Sequence, residues 1–155
     1  PDKSLVVIGD GPEMDKVKEK AAPNTKILGY QPNEELLTYM QNAKAFVFAA
    51  EEDFGITPLE AQACGTPVIA FAKGGSTETV IDVSQPGATG VFFHNQTADS
   101  IINAVKHFES VQHNISSLDC EKNAEKFSNE RFRTQVISYV EGCWNEFLHK
   151  TKVIV

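Results

Sequence analysis

Residues 45–72 read AFVFAAEEDFGITPLEAQACGTPVIAFA. The run Ala45–Ala50 is apolar at every position, as a strand covered on both faces must be, and Val68–Ala72 repeats the pattern. Between them, Thr57-Pro58-Leu59-Glu60 has the form of a helix start. Thr57 suits the N-cap, Pro58 the first helical position, and Glu60 the third, where a capping box places it. Gly65-Thr66-Pro67 ends the helix, and the small residues Ala61, Ala63 and Cys64 suit close packing on a sheet. A strand, a short helix and a second strand form one crossover unit of a parallel sheet.

The alternation continues outward. Leu5–Ile8 is a short apolar run stopped by Gly9-Asp10-Gly11-Pro12, and Glu13–Lys20 follows as a charged helix. Lys26–Gly29 reads as a second strand. Asn33 is placed to cap a helix over 34–41 whose Leu36, Leu37 and Met40 share a face. Gly74-Gly75 opens a turn and a helix to about Asp82, and Gly90–Phe93 reads as a weaker strand. From Ala98 the chain reads as helical. Ile101, Ile102, Val105 and Phe108 line one face, a further helix spans about 118–127, and a last one about 129–150 carries Phe132, Val136, Val140, Trp144 and Phe147. The expected fold class is α/β: a Rossmann-like three-layer sandwich with a mostly parallel sheet.

The chain has 155 residues, 41% hydrophobic and 23% charged, enough for the core of one domain. A net charge of -7 with no basic run argues against nucleic acid as a partner. Cys64, Cys120 and Cys143 are few, odd in number and dispersed, which fits a reducing cytoplasm better than a disulfide framework or a zinc site. No apolar run reaches membrane-spanning length. Pro1 leads almost directly into a strand with no starting methionine, so the chain reads as a piece of something longer. The four histidines, His94, His107, His113 and His149, read as surface or packing residues.

In such a sheet, ligands bind where strands end and helices begin. The segments at that edge are Gly9–Pro12, Gly29–Pro32, Glu51–Thr57 and Lys73–Ser76. The helix after Gly55 offers unpaired N–H groups suited to phosphate. Carboxylates beside a phosphate would repel it, so Glu52 and Glu60 must face something else. Vicinal hydroxyls fit, because one carboxylate can accept two strong O–H bonds. A ligand with a diphosphate in the middle and a sugar at each end meets both needs. Glu60 also has a simpler reading as a capping-box residue, and Glu51 and Asp53 read as solvated acids. A magnesium site formed by Glu51, Glu52 and Asp53 is disfavoured, since adjacent side chains point apart.

The motif Glu52-Asp53-Phe54-Gly55-Ile56-Thr57-Pro58-Leu59-Glu60, continued by Ala61-Gln62-Ala63-Cys64-Gly65-Thr66-Pro67-Val68-Ile69-Ala70, resembles the E-x7-E signature of glycosyltransferase family 4 (group 1), in its C-terminal, donor-binding domain. Val7–Pro12, Ile27–Tyr30 and Lys73–Glu78 match in the same order. The resemblance implies half of a GT-B fold, with the first strand–helix unit of the domain and the N-terminal acceptor domain absent from this sequence. It implies a retaining transferase, needing no metal or other cofactor, that moves a hexose to a glycan or lipid-linked acceptor. The donor is a nucleotide sugar, GDP-mannose favoured and UDP sugars open, as in bacterial mannosyltransferase-like members. Peripheral membrane association of the full protein goes with this.

Residue by residue, the resemblance makes Glu52 the catalytic contact to the donor sugar. Glu60 takes the ribose hydroxyls. Phe54, Gly55, Ile56 and Thr57 form the turn whose amides meet sugar and phosphate, and Tyr30 and Gln31 border the base. Gly9 and Gly11 belong to the first loop of the donor site. Trp144 and its helix resemble the segment that packs back on the other domain; a buried anchor within this domain is the alternative. The basic pair that clamps the diphosphate in the family has no counterpart here, so this chain alone is expected not to turn over. The rival non-catalytic reading is a nucleotide-binding or interaction domain, one subunit of a two-chain transferase. A nicotinamide dehydrogenase fails, because the third glycine of its fingerprint would fall at Met14. A receiver domain fails for want of an aspartate at a strand end.

Overall fold

A computed structural model describes residues 3–152, so Pro1 and Asp2 at the chain start lie outside the described residues. The elements are β1 (Leu5–Ile8), α1 (Met14–Lys20), β2 (Thr25–Gly29), α2 (Asn33–Asn42), β3 (Phe46–Phe48), α3 (Ile56–Ala63), β4 (Val68–Phe71), α4 (Ser76–Thr79), β5 (Gly90–Phe93), α5 (Ala98–Val111), a 3-10 turn (Gln112–Asn114), α6 (Ser117–Glu125) and α7 (Asn129–Lys152). Two compact units are present, residues 1–43 and 44–155.

In the first unit β1 and β2 pair in parallel, with Leu5 opposite Thr25 and Val7 opposite Ile27. Met40 is the one buried apolar side chain among the described residues of this unit. Leu37, expected on the packed face, is exposed. Asn33 does not cap α2. It is the first helical residue, and Pro32, extended at φ -60° and ψ 156°, precedes it. Proline's side chain carries no hydrogen-bond acceptor, so no side-chain cap forms.

In the second unit all strand pairs are again parallel, in the order β3-β4-β5. Because side chains alternate across a strand, one sheet feeds two cores. Ile69, Phe71, Val91 and Phe93 point to one face and pack on Ala104 and Phe108 of α5. Val68 and Ala70, with Phe48, point to the other and pack on Ala61 of α3 and on Val80. Helix, sheet and helix form three layers within this unit. Burying side chains of Val, Ile or Phe size stabilises by roughly 1.5–3 kcal/mol each.

The expected stripe of α5 is corrected at one position. Ile102 is exposed, and Ala104 takes its place among the buried residues. Residue 102 lies about 100° around the helix from 101, whereas 101, 104, 105 and 108 share a face. Thr97 caps this helix, its hydroxyl accepting from the Ser100 amide at 3.3 Å.

Three other expectations are revised. β3 is three residues long, with Val47, Ala49 and Ala50 exposed, so Ala45–Ala50 is not covered on both faces. β3 lies at the edge of its sheet. β5 is nearly as buried as β4, with Phe92 alone half-buried, because both its faces carry core side chains. The helix after Gly75 ends at Thr79, where Val80 turns extended and the chain heads for the Asp82–Gly90 bridge. The face of α7 bearing Phe132, Val136, Val140, Trp144 and Phe147 is exposed, so Trp144 is not a buried anchor within this unit. All four histidines are exposed. Among the described residues no helix is long and apolar enough to cross a membrane.

Candidate functional site

The loop from β3 to α3 carries the acids and the glycine turn. Gly55 adopts φ +79° and ψ 86° and is itself the N-cap of α3. A residue with a Cβ would be strained there, and glycine is not. The turn starts the helix at Ile56, two positions before the one expected. Thr57 is therefore not the N-cap, and Glu60 is not a capping-box residue; the helix has no side-chain cap. Pro58 falls among the first four backbone positions, whose N–H groups have no intrahelical partner, so its missing N–H costs nothing. The amides of Gly55, Ile56 and Thr57 remain. None of them donates to a protein acceptor among the described residues.

Freed from capping, Glu60 is exposed. Among the described residues neither it nor Glu52 makes a side-chain hydrogen bond or ion pair. Glu51 differs: its carboxylate pairs with Lys73 Nζ at 3.0 Å, so it is neutralised rather than only solvated. Asp53 is exposed, as expected. Burial, and secondly the Glu60 carboxylate one turn away, hold the Cys64 thiol above its usual range. No group of three or more His, Cys, Asp or Glu among the described residues could hold a metal ion.

The turn rests on Gly74-Gly75, which the sequence places at the binding edge without a role of its own. The Gly75 amide donates to the Glu52 carbonyl at 2.8 Å. A Cβ on Gly74 would strike the Glu52 carbonyl, and one on Gly75 would strike the Phe54 Cα and carbonyl. Backbone lies on backbone here, which only glycine permits. The doublet was legible in the sequence, but its partner was not.

Behind α3 lies a buried polar cluster with no sequence signal. Gln62 Nε2 donates to the Thr79 carbonyl at 3.0 Å and to the Pro58 carbonyl at 3.3 Å. Asn123 Nδ2 donates to Gln62 Oε1 and to the Thr79 carbonyl, both at 2.8 Å. Each buried amide is thereby satisfied.

The other expected site residues belong to the first unit. Gly9, at φ +131°, follows β1, and its amide donates to the Gly29 carbonyl at 2.8 Å. The Gly11 amide donates to Asp10 Oδ1 at 2.8 Å. Gln31 is not free to reach a ligand as it stands: its Nε2 donates to the Leu28 carbonyl at 2.9 Å. Tyr30 is 78% exposed. Asp10, Met14, Lys18, Ile27, Leu28 and Gly29 line an open cleft at this strand edge.

Parallel strands, helices on both faces of a sheet, and a glycine turn at a helix start define a Rossmann-like α/β protein. The chain matches sucrose-phosphate synthase from Thermosynechococcus elongatus with a TM-score of 0.75 and 26% identity, over 92% of this chain and 39% of that one. It also shares its fold with Anabaena HepE, solved with UDP-glucose, at a TM-score of 0.67 and 23% identity, over 92% of this chain and 42% of that one. Residues 1–127 match the family model described as glycosyl transferases group 1, and the chain belongs to that family. It is similar to a GDP-mannose-dependent phosphatidylinositol monomannoside mannosyltransferase of Mycolicibacterium smegmatis, 33% identical over 118 residues, covering 68% of this chain and 30% of the relative. A Dictyostelium discoideum alpha-1,3/1,6-mannosyltransferase is 34% identical over 120 residues, covering 76% of this chain and 27% of the relative. The chain spans less than a third of the length of these curated relatives.

Proposed function

We propose that this chain supplies donor-binding machinery to a retaining glycosyltransferase that transfers a hexose, with mannose favoured, from a nucleotide sugar to a glycan or lipid-linked acceptor. The observation that carries the reading is the turn over 52–60. It combines three amides without protein partners at Gly55, Ile56 and Thr57 with two carboxylates without partners at Glu52 and Glu60. Amides aimed at a diphosphate act where negative charge grows as the sugar departs. Carboxylates accept hydroxyls and do not suit phosphate, so they serve the sugars on either side.

In this reading Glu60 holds the ribose diol, and Glu52 orients the transferred sugar and favours the positive charge that develops at its ring. The departing diphosphate takes the acceptor's proton on the same face, so the configuration at the anomeric carbon is retained. The protein's contribution is electrostatic and needs no side-chain nucleophile. GDP-mannose is favoured because two similar proteins are named as GDP-mannose-dependent mannosyltransferases, with a third named an alpha-1,3/1,6-mannosyltransferase.

Calorimetric titration of the full-length protein with GDP-mannose, UDP-glucose and UDP-N-acetylglucosamine tests this. GDP-mannose is expected to bind most tightly. Preference for a UDP sugar would overturn the mannose assignment, and binding of none would overturn the donor reading itself.

A further inference from the structure

α6 follows the site helix along its whole length. At the C-terminal end of α3, a Cβ on Gly65 would lie 3.0 Å from Ser117 Cβ. Further along α6, Asn123, 4% exposed, binds Gln62 and the Thr79 carbonyl, and Lys126 Nζ donates to Asn123 Oδ1 at 3.2 Å. Just past α6, the Phe127 ring meets the Phe54 ring edge-on, with centroids 5.9 Å apart and planes at 60°.

Phe54 immediately precedes the left-handed Gly55. Its backbone rests on Gly75 and its ring on Phe127. No side-chain cap fixes the start of α3, so these two contacts hold the turn from outside the helix. The Gly55 amide belongs to the peptide that follows Phe54, and the left-handed bend at Gly55 joins that peptide to the Ile56 and Thr57 amides, so the Phe54 position bears on where all three point.

We propose that Phe127 is a positioning residue for the donor site: by holding the Phe54 ring it sets the direction of the Gly55, Ile56 and Thr57 amides toward the donor's diphosphate. This rests on the donor reading above. Asn123 makes the support rigid by tying α6 to α3 through Gln62. Phe127 touches no substrate in this account and acts through Phe54.

The test uses the full-length protein and measures the dissociation constants of GDP and UDP by calorimetry, together with donor kcat/KM and acceptor KM. Phe127→Ala should weaken binding of the preferred diphosphate by about tenfold, the upper range for one aromatic pair. Donor kcat/KM should fall with it while acceptor KM stays within about twofold. Phe127→Tyr, which keeps the ring, should restore both. Val105→Ala, in α5 on the opposite face of the sheet, serves as a control matched for loss of Tm and should leave diphosphate binding unchanged. Should Phe127→Ala fail to fold, Phe127→Leu takes its place with the same expectation. Unchanged diphosphate affinity in the Phe127 variant, or equal weakening in Val105→Ala, overturns the proposal while the donor reading stands. Failure of the unaltered protein to bind either diphosphate overturns the donor reading and this proposal with it.

Discussion

Glu51 and Glu52 are neighbours with opposite fates. Lys73 neutralises the first, while the second has no protein partner among the described residues. Glu60 would have lost its carboxylate to the helix cap had Thr57 been the N-cap of α3. Gly55 prevents that by turning the chain two residues early. Replacing either acid by its amide should therefore cost function rather than fold. Glu52→Gln is expected to lower kcat by about 10- to 100-fold with little change in donor affinity, and Glu60→Gln to weaken donor binding by a similar factor with kcat nearly kept. Steady-state kinetics of the full-length protein with varied donor checks both, and equal losses of kcat in the two variants would refute the division of roles. Gly75→Ala should be worse than either for stability. Its methyl group would meet rigid backbone, the Phe54 Cα and carbonyl and the Asp53 carbonyl, so a loss of about 1–3 kcal/mol is expected in urea unfolding. The role of Glu60 could not be chosen from residue types, because a capping box and a ligand contact use the same glutamate. The helix start removes the capping role and leaves the carboxylate exposed.

Among the elements, α6 shows how a weakly patterned helix can matter. Ser116, not singled out from the sequence, caps it: the hydroxyl accepts from the Asp119 amide at 3.1 Å and donates to Asp119 Oδ2 at 2.8 Å. The packing of α6 was not readable, because Cys120 faces the Thr89 carbonyl and Asn123 faces Gln62 of α3 without any apolar period to betray them. Cys120 is fully buried, and burial, reinforced by Asp119, raises its thiol pKa from 9.0 to about 12. The folded chain thus keeps that proton where the unfolded chain loses it. Stability should be unaffected by this thiol below pH 9.0 and should fall as pH rises from there to about 12. The slope is up to about 1.4 kcal/mol per pH unit. Cys120→Ala should flatten that part of the profile in denaturant titrations at stepped pH, and an unchanged slope would show that the thiol is not shielded. α7 followed its pattern as a helix, yet its apolar face is uncovered. Periodicity shows which side chains share a face; what the face meets is a separate matter.

At the scale of the molecule, the two units differ in how much they bury. Residues 44–155 hold two apolar clusters on either side of one sheet. Residues 1–43 hold Met40 alone as a buried apolar side chain among the described residues, and Leu5 and Val6 of β1 are exposed. Local opening costs least where few apolar contacts break. Backbone amides of β1 and β2 should therefore exchange with deuterium well before those of β4 and β5, as read by mass spectrometry of peptic fragments. Equal protection in both would contradict this. The sequence by itself determined the order and type of nearly every element, and the parallel pairing that strand–helix alternation demands. Those properties are local: runs of apolar residues, glycines and prolines act on the chain within a few positions. Only the tertiary structure decided where α3 starts, that Gly74-Gly75 supports the Glu52–Phe54 backbone, and that Asn123 and Phe127 stand behind the turn. The last two depend on partners some 20 to 70 positions away, and no pattern in either segment encodes which distant atoms it will touch.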